Sequence, residues 1–233
     1  MNKIKITGFD GLHRSGKGTQ IKLLENYLST KGIPSLVIRG DGTRMGQGAE
    51  NYDPKSSWWQ ENYSYFFQDE GALEDKLQRR NLLYQRLSRE GHYQLNRRLP
   101  TIMKQMGSEH AFLLMDRTFI SRLFSMRQIV PDISLEESLI SINPKNNEKV
   151  YAVLPEIVFV LDVPKEILIE RCNQAKDQPD KIVFRKGNLI RHYELYNQIV
   201  DEIGTDKRFN VRVVDGTLFP EEIHKIVKQS LEV

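Results

Sequence analysis

Two places in the chain carry residues whose type and spacing suit the gripping of a phosphate chain. The first is Phe9-Asp10-Gly11-Leu12-His13-Arg14-Ser15-Gly16-Lys17-Gly18-Thr19-Gln20, a loop of the form GxxxxGKG between an apolar run and a helix-like pattern. In such a loop successive backbone N–H groups point into one concavity at a helix N-terminus, where the helix dipole adds positive potential. Gly11 and Gly16 let the backbone turn and approach an anion, and Lys17 reaches the terminal phosphoryl oxygens as a point charge. Gly11, Leu12, His13, Arg14, Ser15, Gly16, Lys17, Gly18 and Thr19 are therefore candidate ligands of a phosphate chain. Gly18 stands where this pattern usually has a hydroxyl for Mg²⁺; Thr19 offers one a position later. The second place is Asp116-Arg117, at the carboxyl end of the apolar run 111–115. There a carboxylate could hold a metal ion through water, and a guanidinium could grip a phosphate bidentately. The bland alternatives are a glycine-rich turn that binds nothing and a local ion pair. A strand before the loop and a helix after it argue against the first.

The elements that must position these groups follow from periodicity. An apolar run from Ile4 to Phe9 predicts a strand, and Ile21, Leu24 and Leu28 predict a helix closed by Gly32. Residues 35–39 and 111–115 read as buried strands, and so do residues 154–163 and 209–214. Helices are expected after Pro164, up to about Ile203, and over the final segment with its stripe of Ile223, Ile226 and Val227. Residues 131–155 read as a polar connection with helical potential from Leu135 to Ile142, and residues 173–188 as a loop rich in Lys, Arg, Asp and Pro. Between the second and third strands, Trp58, Trp59, Tyr63, Phe66 and Phe67 form an aromatic stripe within a polar and aromatic stretch of roughly residues 45–75. Such a stripe is more often core or subunit interface than a base-stacking platform. Residues 72–106 are mostly helical in pattern, and their arginines are mostly a solvated face. Strands and helices that alternate in this way, with continuous apolar strands, predict an α/β fold with a parallel sheet covered on both faces. The first strand is placed centrally although Lys3 and Lys5 interrupt it, because phosphate loops sit at the switch point of such sheets.

Composition sets the outer bounds. The length of 233 residues suits one such domain, with no repeat or linker dividing it. The 34 Lys+Arg and 31 Asp+Glu leave a net charge of only +3, so bulk charge gives no case for a nucleic acid polymer. The lone Cys172 excludes an intramolecular disulfide, and no apolar run approaches the length of a membrane span. The expectation is a cytoplasmic protein with no membrane partner.

Several separated stretches together resemble the thymidylate kinases, members of the nucleoside monophosphate kinase group of P-loop proteins. The family's FxGxDxxGKSTQ is similar to Phe9–Gln20, and loops that read GKGT also occur in adenylate-kinase-like proteins. Its arginine-led segment after the second strand looks like Arg39-Gly40-Asp41-Gly42-Thr43, and its DR(Y/H)xxS like Asp116-Arg117-Thr118-Phe119-Ile120-Ser121. The LDVP strand is matched by Leu154 to Glu166, and the late acidic motif by Asp215-Gly216-Thr217 with Glu221-Glu222-Ile223. The resemblance implies a P-loop three-layer sandwich, a five-stranded parallel sheet flanked by helices with residues 173–188 as a lid. It also implies ATP as donor, Mg²⁺, a nucleoside monophosphate as acceptor with dTMP becoming dTDP, and a homodimer. By carry-over, Lys17 and the loop bind the donor, and Arg14 serves the transferred phosphoryl group. Arg39 and Arg117 hold the acceptor phosphate, with Asp116 and Ser121 beside them. Tyr84 packs on the acceptor base, and Arg89 (or Arg86) contacts it. Thr19 and Asp116 are the metal-side oxygens.

The chain departs from the family pattern at His13, where the loop aspartate would stand, and at Ser125-Met126, where a Tyr-Gln pair would. Two other functions fit parts of the pattern. A deoxynucleoside kinase has an acid-Arg-Ser segment not far from Asp116-Arg117-Thr118, and it would need a carboxylate base such as Asp41. A non-catalytic P-loop module would account for His13 in place of the aspartate and for Gly18 in place of a hydroxyl after Lys17, but keeping Lys17, Arg14, Arg39 and Arg117 together argues against it.

Overall fold

The computed structural model describes residues 3–39, 104, 110–128, 130–142, 149–174 and 186–233. Five parallel strands form the main sheet: β1 (Lys3–Asp10), β2 (Ser35–Arg39), β3 (His110–Asp116), β6 (Ile157–Asp162) and β7 (Val211–Asp215). Their spatial order is β2-β3-β1-β6-β7, so β1 is central as its sequence position before the loop required. Parallel neighbours need crossover connections, and helices supply them on both faces. These are α1 (Lys17–Thr30), α2 (Phe119–Arg127), α4 (Lys165–Gln174) and α5 (Lys186–Thr205), and α6 (Pro220–Leu231) follows the last strand.

Alternation along each strand assigns its side chains to one face or the other. Phe9, Phe112, Leu114, Phe159 and Leu161 pack under α1 and α6, against Ile21, Leu24, Leu28, Ile223, Val227 and Leu231. Val158 and Val160 face the other way, toward Phe119, Ile120 and Leu123 of α2 and Ile199 and Ile203 of α5. A third group joins Leu113 and Met115 to Ile38, Val153 and the flanking Ile4 and Ile6. The stripe expected on the last helix is present, and its buried members are Ile223, Val227 and Leu231. The lysine that made β1 look amphipathic is accommodated at its entry end. Lys5 Nζ donates to the carbonyl of Leu231 at 2.9 Å, at the negative end of α6, and lies 5.9 Å from the centroid of the Phe112 ring.

The connection before β6 differs from the sequence expectation. Helix α3 covers only Leu135–Leu139, and Ile140–Ile142, expected to be helical, forms β4, which pairs antiparallel with β5 (Lys149–Tyr151). A capping box starts α3: Ser134 Oγ accepts from the Glu137 amide and Glu137 Oε2 accepts from Ser134 N. Only one turn and a half follows before the β-branched pair around Ser141 takes up extended structure. Of the segment expected to be a loop at 173–188, Asn173 and Gln174 end α4 and residues 186–188 begin α5. The rest of that segment, the aromatic stripe and the arginine-rich stretch lie outside the described residues. Cys172 is buried in α4, and no described helix is long and apolar enough to cross a membrane.

Close approach of α2 to β1 depends on Gly8. A Cβ there would stand 2.5 Å from Thr118 Cγ2 and 3.1 Å from Pro155 Cγ. Gly8→Ala should destabilise the fold by about 1–3 kcal/mol through overpacking, read as a lower urea midpoint with an unchanged m-value.

Candidate functional site

A cleft of about 650 Å³ opens at the carboxyl edge of the sheet, between the loop after β1, the end of β3 and the turn from β7 into α6. Its walls include His13, Arg14, Ser15, Gly16, Lys17, Gly18, Thr19, Asp116 and Arg117, so both stretches singled out by chemistry meet in one place. The meeting follows from register, since Phe9 stands beside Asp116 across the β1–β3 ladder. Arg39 stands beside Asp116 across the β2–β3 ladder, which puts its backbone at the same edge. Tyr84, Arg86 and Arg89 lie outside the described residues.

The loop enters α1 without a side-chain cap. Gly16, the cap residue of α1, is left-handed (φ 103°) and has no side chain to occupy the first-turn N–H groups. Gly11 has φ 142°, and a Cβ on it would lie 2.6 Å from Ser15 Oγ and 2.9 Å from the Leu161 carbonyl, so glycine is required there on two counts. Lys17 is 7 % exposed, and its Nζ donates to the carbonyls of Gly11 and Leu12 at 2.8 Å each. The ammonium is thus held over the loop rather than extended into solvent. Leu12 is buried, whereas Gly18 and Thr19 are exposed at the first turn of α1.

Arg14 (φ 64°) and Arg117 (φ 68°) both adopt the left-handed region. For a residue with a Cβ this conformation costs roughly 1–2 kcal/mol, and such strain concentrates where a side chain must be aimed. Tertiary contacts impose it. The Arg14 carbonyl accepts from Arg171 Nη1 at 3.1 Å, and the Arg117 amide donates to the Phe9 carbonyl at 2.9 Å. The Ser121 hydroxyl is buried and donates to Asp10 Oδ1 at 2.7 Å, so it faces the interior of the β1–α2 corner.

Sequence reading passed over four features of this site. Asp10 is fully buried, and its carboxylate accepts from Gly11 N, Ser121 Oγ and Tyr196 Oη on one oxygen and from Thr118 N, Thr118 Oγ1 and Ser121 N on the other. Two of these donors are amides at the start of α2, so the carboxylate also meets the positive end of that helix. Tyr196 of α5 is buried beside it. Arg171 of α4 spans the cleft, its Nη2 donating to the Gly216 carbonyl at 3.0 Å. The fourth is the wall made by Gly216, Leu218, Pro220 and Ile223. An acid immediately before the loop and an arginine one helix after the LDVP strand were the available signals.

Among the residues that line the cleft, Arg14, Lys17, Arg117 and Arg171 are cationic and Asp116 is the carboxylate. A polyanion is the ligand that such a surface favours. The described residues contain no group of three or more His, Cys, Asp or Glu arranged as a metal cage. The oxygens on offer are those of Asp116 and Thr19, a donor set that fits Mg²⁺ held mainly by phosphates and water.

A parallel sheet of this order, with a phosphate loop leaving its central strand and helices on both faces, is the P-loop three-layer sandwich, and the Asp-Arg pair at the neighbouring strand end makes the site similar to those of nucleoside monophosphate kinases. In sequence the chain is similar to thymidylate kinases. It is 26% identical to the thymidylate kinase of Sulfurihydrogenibium sp. (strain YO3AOP1), over 96% of this chain and 95% of that protein. To the thymidylate kinase of Fervidobacterium nodosum it is 28% identical, with 96% of each chain covered. Among solved structures, a deoxyadenosine kinase from M. mycoides aligns with a TM-score of 0.56 over 97% of this chain and 98% of its own, at 16% identity, which is a likeness of fold. No family model matches the chain.

Burial first, then the charge of Asp10 and the hydrogen bond to it, push the Tyr196 hydroxyl well above its ordinary value near 10. The folded protein therefore keeps this proton at a pH where the unfolded chain releases it. Stability from this group is complete below about pH 10 and falls above it by up to about 1.4 kcal/mol per pH unit. Tyr196→Phe should remove that alkaline slope, measured by urea unfolding at a series of pH values.

Proposed function

We propose that this protein transfers the γ-phosphoryl group of ATP to a nucleoside monophosphate, with dTMP the first candidate acceptor. One observation carries the reading: the loop cations Lys17 and Arg14 share a cleft with Asp116-Arg117 at the carboxyl edge of the sheet. A donor polyphosphate fits the loop, and the same cleft holds Arg171 together with the apolar Leu218, Pro220 and Ile223, which suit a planar base. On this reading Gly11 through Thr19 cradle the donor phosphates, Arg39, Arg117, Asp116, Tyr84 and Arg89 belong to the acceptor half, and buried Ser121 supports it only from behind, through its bonds with Arg117 and Asp10. The thymidylate kinases to which the chain is similar support the choice of acceptor class.

In the transfer, an acceptor phosphate oxygen forms a bond to the γ-phosphorus as the bond to the β,γ-bridging oxygen breaks. ADP leaves and the acceptor becomes a diphosphate. The attacking oxygen is already ionised, so no general base is needed. The residues act by position and charge. Lys17 draws charge from the β- and γ-oxygens, Arg14 from the group in flight, and Arg117 holds the acceptor in line. Mg²⁺, held through Asp116 and Thr19 with the donor phosphates, would neutralise charge on the donor.

Phosphoryl transfer from Mg-ATP, screened against nucleosides and nucleoside monophosphates, tests the reading. Turnover of monophosphates, dTMP above all, is expected; efficient use of thymidine or another nucleoside with every monophosphate untouched would overturn it. Lys17→Ala should lower kcat by at least about 100-fold, since a lost transition-state charge contact costs about 3 kcal/mol or more. Arg117→Met should raise the acceptor KM about ten- to a hundredfold and leave the ATP KM near wild type, because a charge-assisted bidentate contact is worth about 1.5–3 kcal/mol.

A further inference from the structure

Arg117 owes its left-handed turn to two bonds from the backbone on either side of its Cα. Its own amide donates to the Phe9 carbonyl at 2.9 Å, and the next amide, that of Thr118, donates to Asp10 Oδ2 at 2.7 Å. With both flanking peptide planes pinned to β1, φ and ψ of Arg117 are fixed together. The second pin is a buried carboxylate, and its orientation is set in turn. Oδ2 also accepts from Thr118 Oγ1 and from the Ser121 amide, while Oδ1 accepts from Tyr196 Oη, Ser121 Oγ and Gly11 N. One oxygen thus holds the Arg117 turn and the other holds the entrance to the phosphate loop. Asp10 itself is fully buried and is not among the residues lining the cleft, so it touches no ligand there.

We propose that Asp10 is a positioning residue for the acceptor grip: through Thr118 it holds the left-handed turn that presents the Arg117 guanidinium to the cleft. Tyr196 holds the carboxylate in the orientation that this requires. The inference rests on the reading of Arg117 as an acceptor-phosphate ligand. The physical basis is the number of donors. A carboxylate can accept on both oxygens, whereas the asparagine amide would turn an NH₂ toward three donors on one side. Thr118 completes the connection, because its hydroxyl donates to Asp10 and accepts from the Ile120 amide at the start of α2.

The test is steady-state kinetics with Mg-ATP and dTMP for the wild type, Asp10→Asn, Thr118→Val and Thr118→Ser. Thr118→Val keeps the side-chain volume and the amide bond to Asp10 Oδ2 but removes the hydroxyl bond that holds this oxygen beside the amide. It should raise the KM for dTMP about tenfold and change the KM for ATP by less than about twofold, a split expected of a misaimed acceptor ligand. Thr118→Ser restores the hydroxyl and should return the dTMP value to near wild type. Asp10→Asn should move KM the same way and further; if it does not fold, the threonine pair decides. A folded Thr118→Val with both KM values at wild type overturns the inference, even if its thermal midpoint falls. An equal rise in both KM values also overturns it, since that assigns the effect to the phosphate loop through Gly11. A wild type that uses no monophosphate overturns the proposed function and this inference together, whereas an active wild type with an unchanged Thr118→Val overturns the inference alone.

Discussion

The buried carboxylate of Asp10 is the contact on which the rest of this site depends. A charge removed from water is tolerated only when hydrogen bonds replace its hydration. Here those bonds come from the first residue of the phosphate loop, from the turn after β3, from the start of α2 and from Tyr196 on α5. Each donor group is thereby held to the end of the central strand. The carboxylate is also the reason that Thr118 and Ser121 are polar in a corner otherwise lined by Phe119, Ile120 and Leu123. Replacing any one donor would leave part of the charge unserved, so each bond bears on the others.

Around that anchor the cleft collects positive charge in a conformation that local propensity opposes. Arg14 and Arg117 both sit in the left-handed region, each held by a contact from another element. Arg171 plays a double part. Its guanidinium joins the loop carbonyl of Arg14 to the carbonyl of Gly216 and so ties the phosphate loop to the turn that opens α6. Gln20 reinforces the same junction by donating to the Pro220 carbonyl at 2.9 Å. A planar fork with several donors can bridge two carbonyls in this way; an ammonium would do so less directionally. The result is a cleft whose two walls are tied together by the protein's own hydrogen bonds, an arrangement suited to action by position and charge.

Stability and function share residues here to an unusual degree. Gly8 lets Thr118 approach β1, and Thr118 is in turn the connection between Asp10 and Arg117. Tyr196 belongs to the apolar cluster under α2 and α5 and also orients the carboxylate. The edge of the sheet is therefore not a platform with a site added to it. Core packing on the α2–α5 face and the aim of the cleft arginines are set by the same contacts.

The sequence by itself determined the five strands and their order along the chain, the parallel sheet, the central place of β1 and the convergence of the loop with Asp116-Arg117, but not helix α2 over Phe119–Arg127. Those features follow from local patterns: continuous apolar runs, helical spacing, glycines at obligatory turns, and charges at strand ends. Periodicity misjudged Ile140–Ile142, where a short apolar run suits a strand as well as a helix and only pairing with Lys149–Tyr151 decides. Tertiary structure alone decided the rest. Asp10 meets partners 108, 111 and 186 residues away, and Arg171 meets a carbonyl 157 residues away. No spacing within a motif encodes a left-handed arginine, because φ at Arg14 and Arg117 is imposed by bonds from distant elements against the local preference of the chain. Local energetics write the elements into the sequence; the aim of the charged side chains exists only once the elements have packed.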